Sequence, residues 1–120
     1  TPAIQYGGET KYTFTHLLSI LGRKPNSTII IMSYRNFFSG REDGVKELSM
    51  PELIEASTSG KVRVLIAQEV GNVTPAYVTF YGHTKNNFLS AVQTIYSGFI
   101  DSRSFGGVSV HYFDPYLDLR

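Results

Sequence analysis

The three histidines are the side chains of this chain best suited to acid–base chemistry, because imidazole changes charge near neutral pH. His16 lies within an apolar helical pattern, where we expect a partly buried structural residue. His83 stands where a strand pattern gives way to a helix pattern, a place where loops carry functional groups. His111 alternates with the apolar residues of "VSVHYF", so we expect a half-exposed strand residue.

Asp114 is the acid closest in sequence that could act together with His111. On a strand, side chains three positions apart point to opposite faces, so only a break at Pro115 would let the two meet. The chain lacks H-E-x-x-H, G-x-S-x-G and phosphate-loop motifs. It has no cysteine, which excludes thiol catalysis, disulfides and cysteine zinc sites. The sequence therefore predicts no catalytic residue, no metal site and no cofactor.

Aromatic and basic residues suggest nucleic-acid binding as an alternative. If residues 76–83 form a strand, Tyr77 and Tyr81 share one face, with Arg63 on a neighbouring strand. Rings on an open sheet can stack bases, with cations beside them. The net charge is only +1, however, unlike that of proteins held mainly by phosphates. Ordinary cross-strand packing of the rings explains the same pattern.

The composition is that of a single folded domain spanning residues 1–120. The chain has 42% hydrophobic and 18% charged residues, which is typical of globular proteins and not of disordered ones. No apolar run reaches the roughly 18–20 residues that span a bilayer, so we expect no transmembrane segment. Residues 1–11 are predicted to be a loose leading segment with a break at Gly7–Gly8, and residues 115–120 a C-terminal arm.

Hydrophobic periodicity orders the elements as α-β-α-β-β-α-β. Helices are predicted over residues 12–22, 49–60 and 84–100, the second of which begins with a capping box of Ser49 and Glu52. The strand patterns cover 27–34, 61–70, 76–83 and 108–113. Since a hairpin signal joins the middle two, we predict an α+β fold with a mainly antiparallel sheet of about four or five strands packed with two or three helices. The helix over 84–100 allows one parallel crossover.

One face of the helix predicted over 84–100 consists of small residues without charge. A solvated helix face normally carries charged side chains, so either the fold or a partner covers this one. The C-terminal arm adds apolar residues of the kind that mark contact sites, and removing residues 116–120 should reduce self-association while the fold stays intact. The predicted oligomer interface consists of Ala91, Thr94, Ser97, Gly98, Tyr116, Leu117 and Leu119.

The order of elements resembles the globular core of rhabdovirus matrix proteins. The similarity lies in "FTHLLSILG", "STIIIMSY", the hairpin "KVRVLIAQEVGNVTPAYVTFYGH", a helix and "GGVSVHYF", and it covers most of residues 12–113. It implies a non-enzymatic virion protein that self-associates and contacts membrane and nucleocapsid, located in the virion and the host cytoplasm. The basic N-terminal arm and late-domain motif of that family are absent here, and no functional residue is carried over.

Three function hypotheses follow from the sequence. The first is a non-enzymatic assembly protein, homo-oligomeric and with a protein partner; peripheral membrane contact is expected only from the matrix-protein resemblance. The second is a nucleic-acid-binding domain that uses Arg63, Tyr77 and Tyr81. The third is a small hydrolase with His83 or His111 as acid or base. Under the first hypothesis, replacing His111 by Gln changes no turnover.

Overall fold

The computed structural model describes residues 2–120, and a three-stranded parallel sheet forms its centre. In chain order the elements are β1 (Ala3–Tyr6), β2 (Glu9–Tyr12), α1 (Thr13–Leu21), β3 (Ser27–Met32), α2 (Val45–Ser59), β4 (Val62–Glu69), α3 (Lys85–Phe99), β5 (Phe105–His111) and α4 (Phe113–Asp118). Spatial order in the sheet follows chain order, with β4 between β3 and β5. Each neighbouring pair is parallel because a helix, α2 or α3, crosses between its strands.

The predicted mainly antiparallel sheet is wrong. Within residues 2–120 the only antiparallel pair is β1–β2, a separate two-stranded sheet. The segment 76–83, predicted as a strand, contains a short 3₁₀ helix over Ala76–Val78 and a single parallel bridge from Thr79 to Glu69 of β4. The side chain of Asn36 binds part of its backbone in place of a strand ladder. Asn36 Nδ2 donates to the carbonyls of Ala76 and Thr79, at 3.0 and 3.1 Å.

The starts of α2 and α3 show which helix boundaries the local sequence predicts. Thr84 caps α3, because its hydroxyl accepts from the Asn87 N–H at 3.0 Å, and the helix starts close to its predicted position at residue 84. The predicted start of α2 at Ser49 is wrong. The Glu47 carboxylate accepts from the Gly44 N–H at 3.2 Å, so the helix begins one turn earlier. Ser49 is instead buried inside the helix, with its hydroxyl 2.6 Å from that of Ser33.

Most of the segment predicted to be loose forms the β1–β2 hairpin. The turn uses Gly7 and Gly8 at φ of 60° and 82°, a backbone conformation that glycine adopts without strain. All residues of both strands are exposed. Thr1, the first residue of the predicted segment, lies outside the described residues.

Helices α1, α2 and α3 all pack on the same face of the parallel sheet. The buried core contains Phe14, Val45, Leu53, Ala56, Val64, Ile66, Ile95 and Phe99. The opposite face has no such cover within residues 2–120, and Ile30 and Met32 are 52% and 72% exposed there. This open face is unusual, because parallel sheets are normally covered on both sides.

A second, smaller core lies beyond the carboxyl end of β4. It contains Val70, Phe80, Phe88 and Leu119, with Tyr116 packed against them. The C-terminal arm thus begins as α4 and folds back onto its own chain. No helix found in residues 2–120 combines the length and the apolar character that crossing a bilayer requires.

Candidate functional site

Tyr34, Glu69 and His111 form a row at the carboxyl edge of the parallel sheet. Glu69 and His111 end β4 and β5 and are register partners. Tyr34 follows Met32, the last residue of β3, by two positions and so continues the same alternation. In α/β sheets this edge is where ligands bind, because the loops that follow the strands converge there.

Glu69 and His111 form a close hydrogen-bonded pair. His111 Nδ1 lies 2.5 Å from Glu69 Oε2, and the side chains are 57% and 4% exposed respectively. Because a carboxylate can only accept, Nδ1 is the donor of this bond, and in the neutral imidazole the lone pair is therefore on Nε2. Among the described residues, no side chain or backbone group hydrogen-bonds to this Nε2. The pair is therefore a base with an orienting carboxylate.

Aromatic rings and a glycine enclose the Glu69 carboxylate. The ring of Tyr34 stacks against that of His111, with centroids 6.2 Å apart and planes 28° from parallel. A Cβ at Gly71 would lie 2.9 Å from Glu69 Oε1, so only glycine allows this approach without a shift. Burying a carboxylate is costly unless hydrogen bonds satisfy it, which makes the bond from His111 a condition of the arrangement.

Tyr34 carries a proton well above neutral pH. Burial raises the pKa of Tyr34 above its ordinary value of 10.0, and the negative charge of Glu69 raises it further. The phenol therefore remains a hydrogen-bond donor at neutral pH.

A cavity of about 470 Å³ lies near this pair, although neither Glu69 nor His111 lines it. The ring of Tyr112 forms part of its wall and lies 5.0 Å from the ring of His111, centroid to centroid. The other walls come from the loop after β4 and from the C-terminal arm. Its lining includes Asn72, Tyr81, His83, Asp118 and Arg120.

The structure distinguishes the three histidines clearly. His16 is buried and Nε2 donates to the carbonyl of Ile4 at 3.0 Å, so the predicted structural role is confirmed. His83 lies against Asn87, with Nδ1 2.7 Å from Oδ1, and faces the cavity. His111 is paired with Glu69 and not with Asp114, which is exposed in α4.

Sequence reasoning missed Glu69. It lies 42 residues before His111. The feature that could have pointed to it is its place at the end of the strand pattern "VRVLIAQE". In an antiparallel sheet the ends of β4 and β5 would lie at opposite edges, so the expected topology hid the pair.

The predicted nucleic-acid residues do not come together. Arg63 is exposed near the amino end of β4, whereas Tyr77 and Tyr81 lie beyond its carboxyl end. The guanidinium groups of Arg35 and Arg41 instead lie over the ring of Tyr77, at 5.1 and 5.2 Å from its centroid. The strand face on which this prediction depended is not formed.

Both predicted contact surfaces are partly covered by the chain itself. On α3, Thr94 and Ser97 are exposed, Ala91 is half-buried, and the Phe38 ring occupies the space that a side chain at Gly98 would need. In the arm, Leu119 is buried, Tyr116 packs against Phe88 at 5.9 Å between centroids, and Leu117 is 54% exposed.

Metal sites and similar proteins are two further guides to function. Within residues 2–120 no three His, Asp or Glu side chains cluster as metal ligands would. Comparison with protein-family models, with curated proteins and with solved structures finds no match to this chain.

Proposed function

We propose that the carboxyl edge of the sheet is an acid–base catalytic site of a small hydrolase. The observation that carries this proposal is the exposed Nε2 of His111, held in place through Nδ1 by the buried Glu69 carboxylate. Nε2 takes a proton from a water molecule as it attacks the substrate and later returns that proton to the leaving group. Tyr34, which stays protonated, supplies a hydrogen bond to the negative charge that develops.

This is the third of the hypotheses that the sequence raised. It now has support that the first lacked, because a partner for His111 is in place. The non-enzymatic hypothesis and the resemblance to matrix proteins stay predictions.

Turnover of a panel of p-nitrophenyl esters and glycosides tests the proposal. We expect His111→Gln to lower kcat by about 100-fold or more, the range lost with a general base. Glu69→Gln should lower kcat as well, because the orienting charge is lost. Asp114→Asn is the matched control, since Asp114 is close to His111 in sequence but is exposed in α4 and is not its partner. Turnover that His111→Gln leaves unchanged, or no turnover of any panel member, would contradict the proposal.

Self-association is a second candidate function, and the open sheet face favours it. Ile30 and Met32 are exposed there, next to Leu65 on the neighbouring strand. We propose a second copy as the occupant. In a two-fold pair the exposed apolar side chains of one open face pack on those of the other, which removes both sets from water.

Light scattering over a concentration series tests this pairing. Met32→Lys should reduce the mass to that of the monomer, because it places a charge in the apolar patch. Ile54→Lys on α2 is the control, since Ile54 is 62% exposed and away from the open face. Ala91→Lys and Ser97→Lys test in the same way whether the face of α3 predicted from the sequence is the interface. A mass that Met32→Lys does not change, or a monomer at every concentration, would exclude this face as the interface.

A further inference from the structure

We infer that the cavity beside His111 binds a neutral, hydroxyl-rich molecule, a carbohydrate. This inference rests on the proposed function, because the bound sugar is the substrate that His111 would act on from beside the cavity; His111 itself does not line the cavity. Tyr112 connects the two, since its ring both lines the cavity and lies 5.0 Å from the ring of His111.

The packing of the fold holds the walls of the cavity in place. Its walls come from the two segments that follow β4 and β5, and both are anchored in the second core through Phe80 and Leu119. The Lys85 N–H also donates to the carbonyl of Arg120, which attaches the end of the arm to the start of α3. Its volume of about 470 Å³ lies within the usual range for small-molecule sites.

The charges around the cavity balance. Asp118 and Arg120 are the two lining residues with a full charge at neutral pH, and their charges are opposite. A phosphate or polyanion site would need an excess of cations. The amide of Asn72 and the imidazole of His83 add donors and acceptors, which match hydroxyl groups.

Two exposed tyrosine rings give the cavity surfaces on which a sugar ring can pack. Tyr81 and Tyr112 line the cavity and are 55% and 50% exposed. Tyrosine presents an apolar face and a polar edge, and the C–H face of a pyranose packs on such a ring while its hydroxyls reach polar neighbours. A fatty acyl group would need walls without charged side chains, whereas Asp118 and Arg120 stand in this lining.

An ¹H–¹⁵N NMR titration with maltose, cellobiose and N,N′-diacetylchitobiose tests the inference. We expect one of these disaccharides to give saturable shifts at the amides of Asn72, Gly82 and Tyr112. Tyr81→Ala and Tyr112→Ala should each weaken binding about tenfold, the loss expected for one aromatic contact. Tyr6→Ala is the control, because Tyr6 is 58% exposed in the distant hairpin.

His111→Gln separates binding from chemistry, since it should abolish turnover and leave the sugar affinity unchanged. Saturable sugar binding without turnover of any panel substrate would contradict the proposed function and leave this inference standing. If no disaccharide shifts these amides, or if only uridine or inorganic phosphate does, the carbohydrate inference is wrong. Tyr81 lies in a loop outside both cores, so Tyr81→Ala gives a valid result even if Tyr112→Ala fails to fold.

Discussion

At the scale of residues, the carboxyl edge joins a buried acid to an exposed base. Glu69 is shielded by Tyr34, His111 and Gly71, whereas more than half of the His111 side chain is open to solvent. The buried partner cannot rotate freely and so fixes the orientation of the exposed ring. A general base needs both an orientation that is fixed and a ring that the substrate can reach.

Tyr34 should make the fold sensitive to alkaline pH. Its pKa is raised above 10.0 in the folded state, so above about pH 10 the unfolded chain loses the phenol proton first and becomes favoured. Stability from Tyr34 is present below that pH and is lost as pH rises through the folded pKa. Tyr34→Phe should therefore lose less stability than the wild type between about pH 9 and 11 in urea unfolding. Equal losses in both proteins would show that Tyr34 does not contribute.

At the scale of elements, the segments after β4 and β5 carry the site, and α3 holds both in place. The loop after β4 returns to the sheet through the Phe80 N–H, which donates to the Glu69 carbonyl at 2.9 Å. Thr79 Oγ donates to the carbonyl of Gly71 at 2.7 Å. These bonds explain why this segment is a fixed loop and not the hairpin that its sequence suggested.

The C-terminal arm should contribute to stability, contrary to the sequence expectation that it could be removed from an intact fold. Leu119 is 8% exposed and packs in the second core. Leu119→Ala should reduce the free energy of unfolding by about 2 kcal/mol, as for other buried leucines. Leu117→Ala is the control, because Leu117 is 54% exposed and should change little. Equal urea midpoints for the two variants would show that the arm is not part of the core.

Gly98→Ala should destabilise α3 although alanine favours helices. An exposed helix position gains about 1 kcal/mol from this change. Here the new methyl group would overlap the ring of Phe38, which packs against Phe99 at 5.5 Å between centroids. Ser97→Ala, at the neighbouring exposed position, should stabilise slightly. Thermal unfolding compares the two, and a gain for both would mean that Phe38 moves aside freely.

At the scale of the whole molecule, stability should fall from the central strand outward. β4 is bonded on both sides, whereas every residue of the β1–β2 hairpin is exposed. Hydrogen exchange should therefore be slowest at Val64 and Ile66, which are fully buried. The hairpin amides should exchange fastest. Hairpin protection equal to that of β4 would contradict this order.

Much of the local structure was predictable. Periodicity located α1, α3, β3, β4 and most of β5, because apolar spacing reflects which side of an element is buried. The start of α2 was missed, because the residue that caps it, Glu47, lies in a segment that appeared to be a polar loop.

The sequence by itself determined that α1, α2 and α3 are helices and that β3, β4 and β5 are strands, and it excluded thiol chemistry. Only the tertiary structure decided that β3, β4 and β5 are parallel. Strand direction depends on where a connection crosses. The segment 76–83 has the pattern of a strand, but it touches β4 through a single parallel bridge at Thr79 and otherwise forms a loop bound partly by Asn36. Parallel strands place their carboxyl ends at one edge, and that geometry brings Glu69 to His111 across 42 residues.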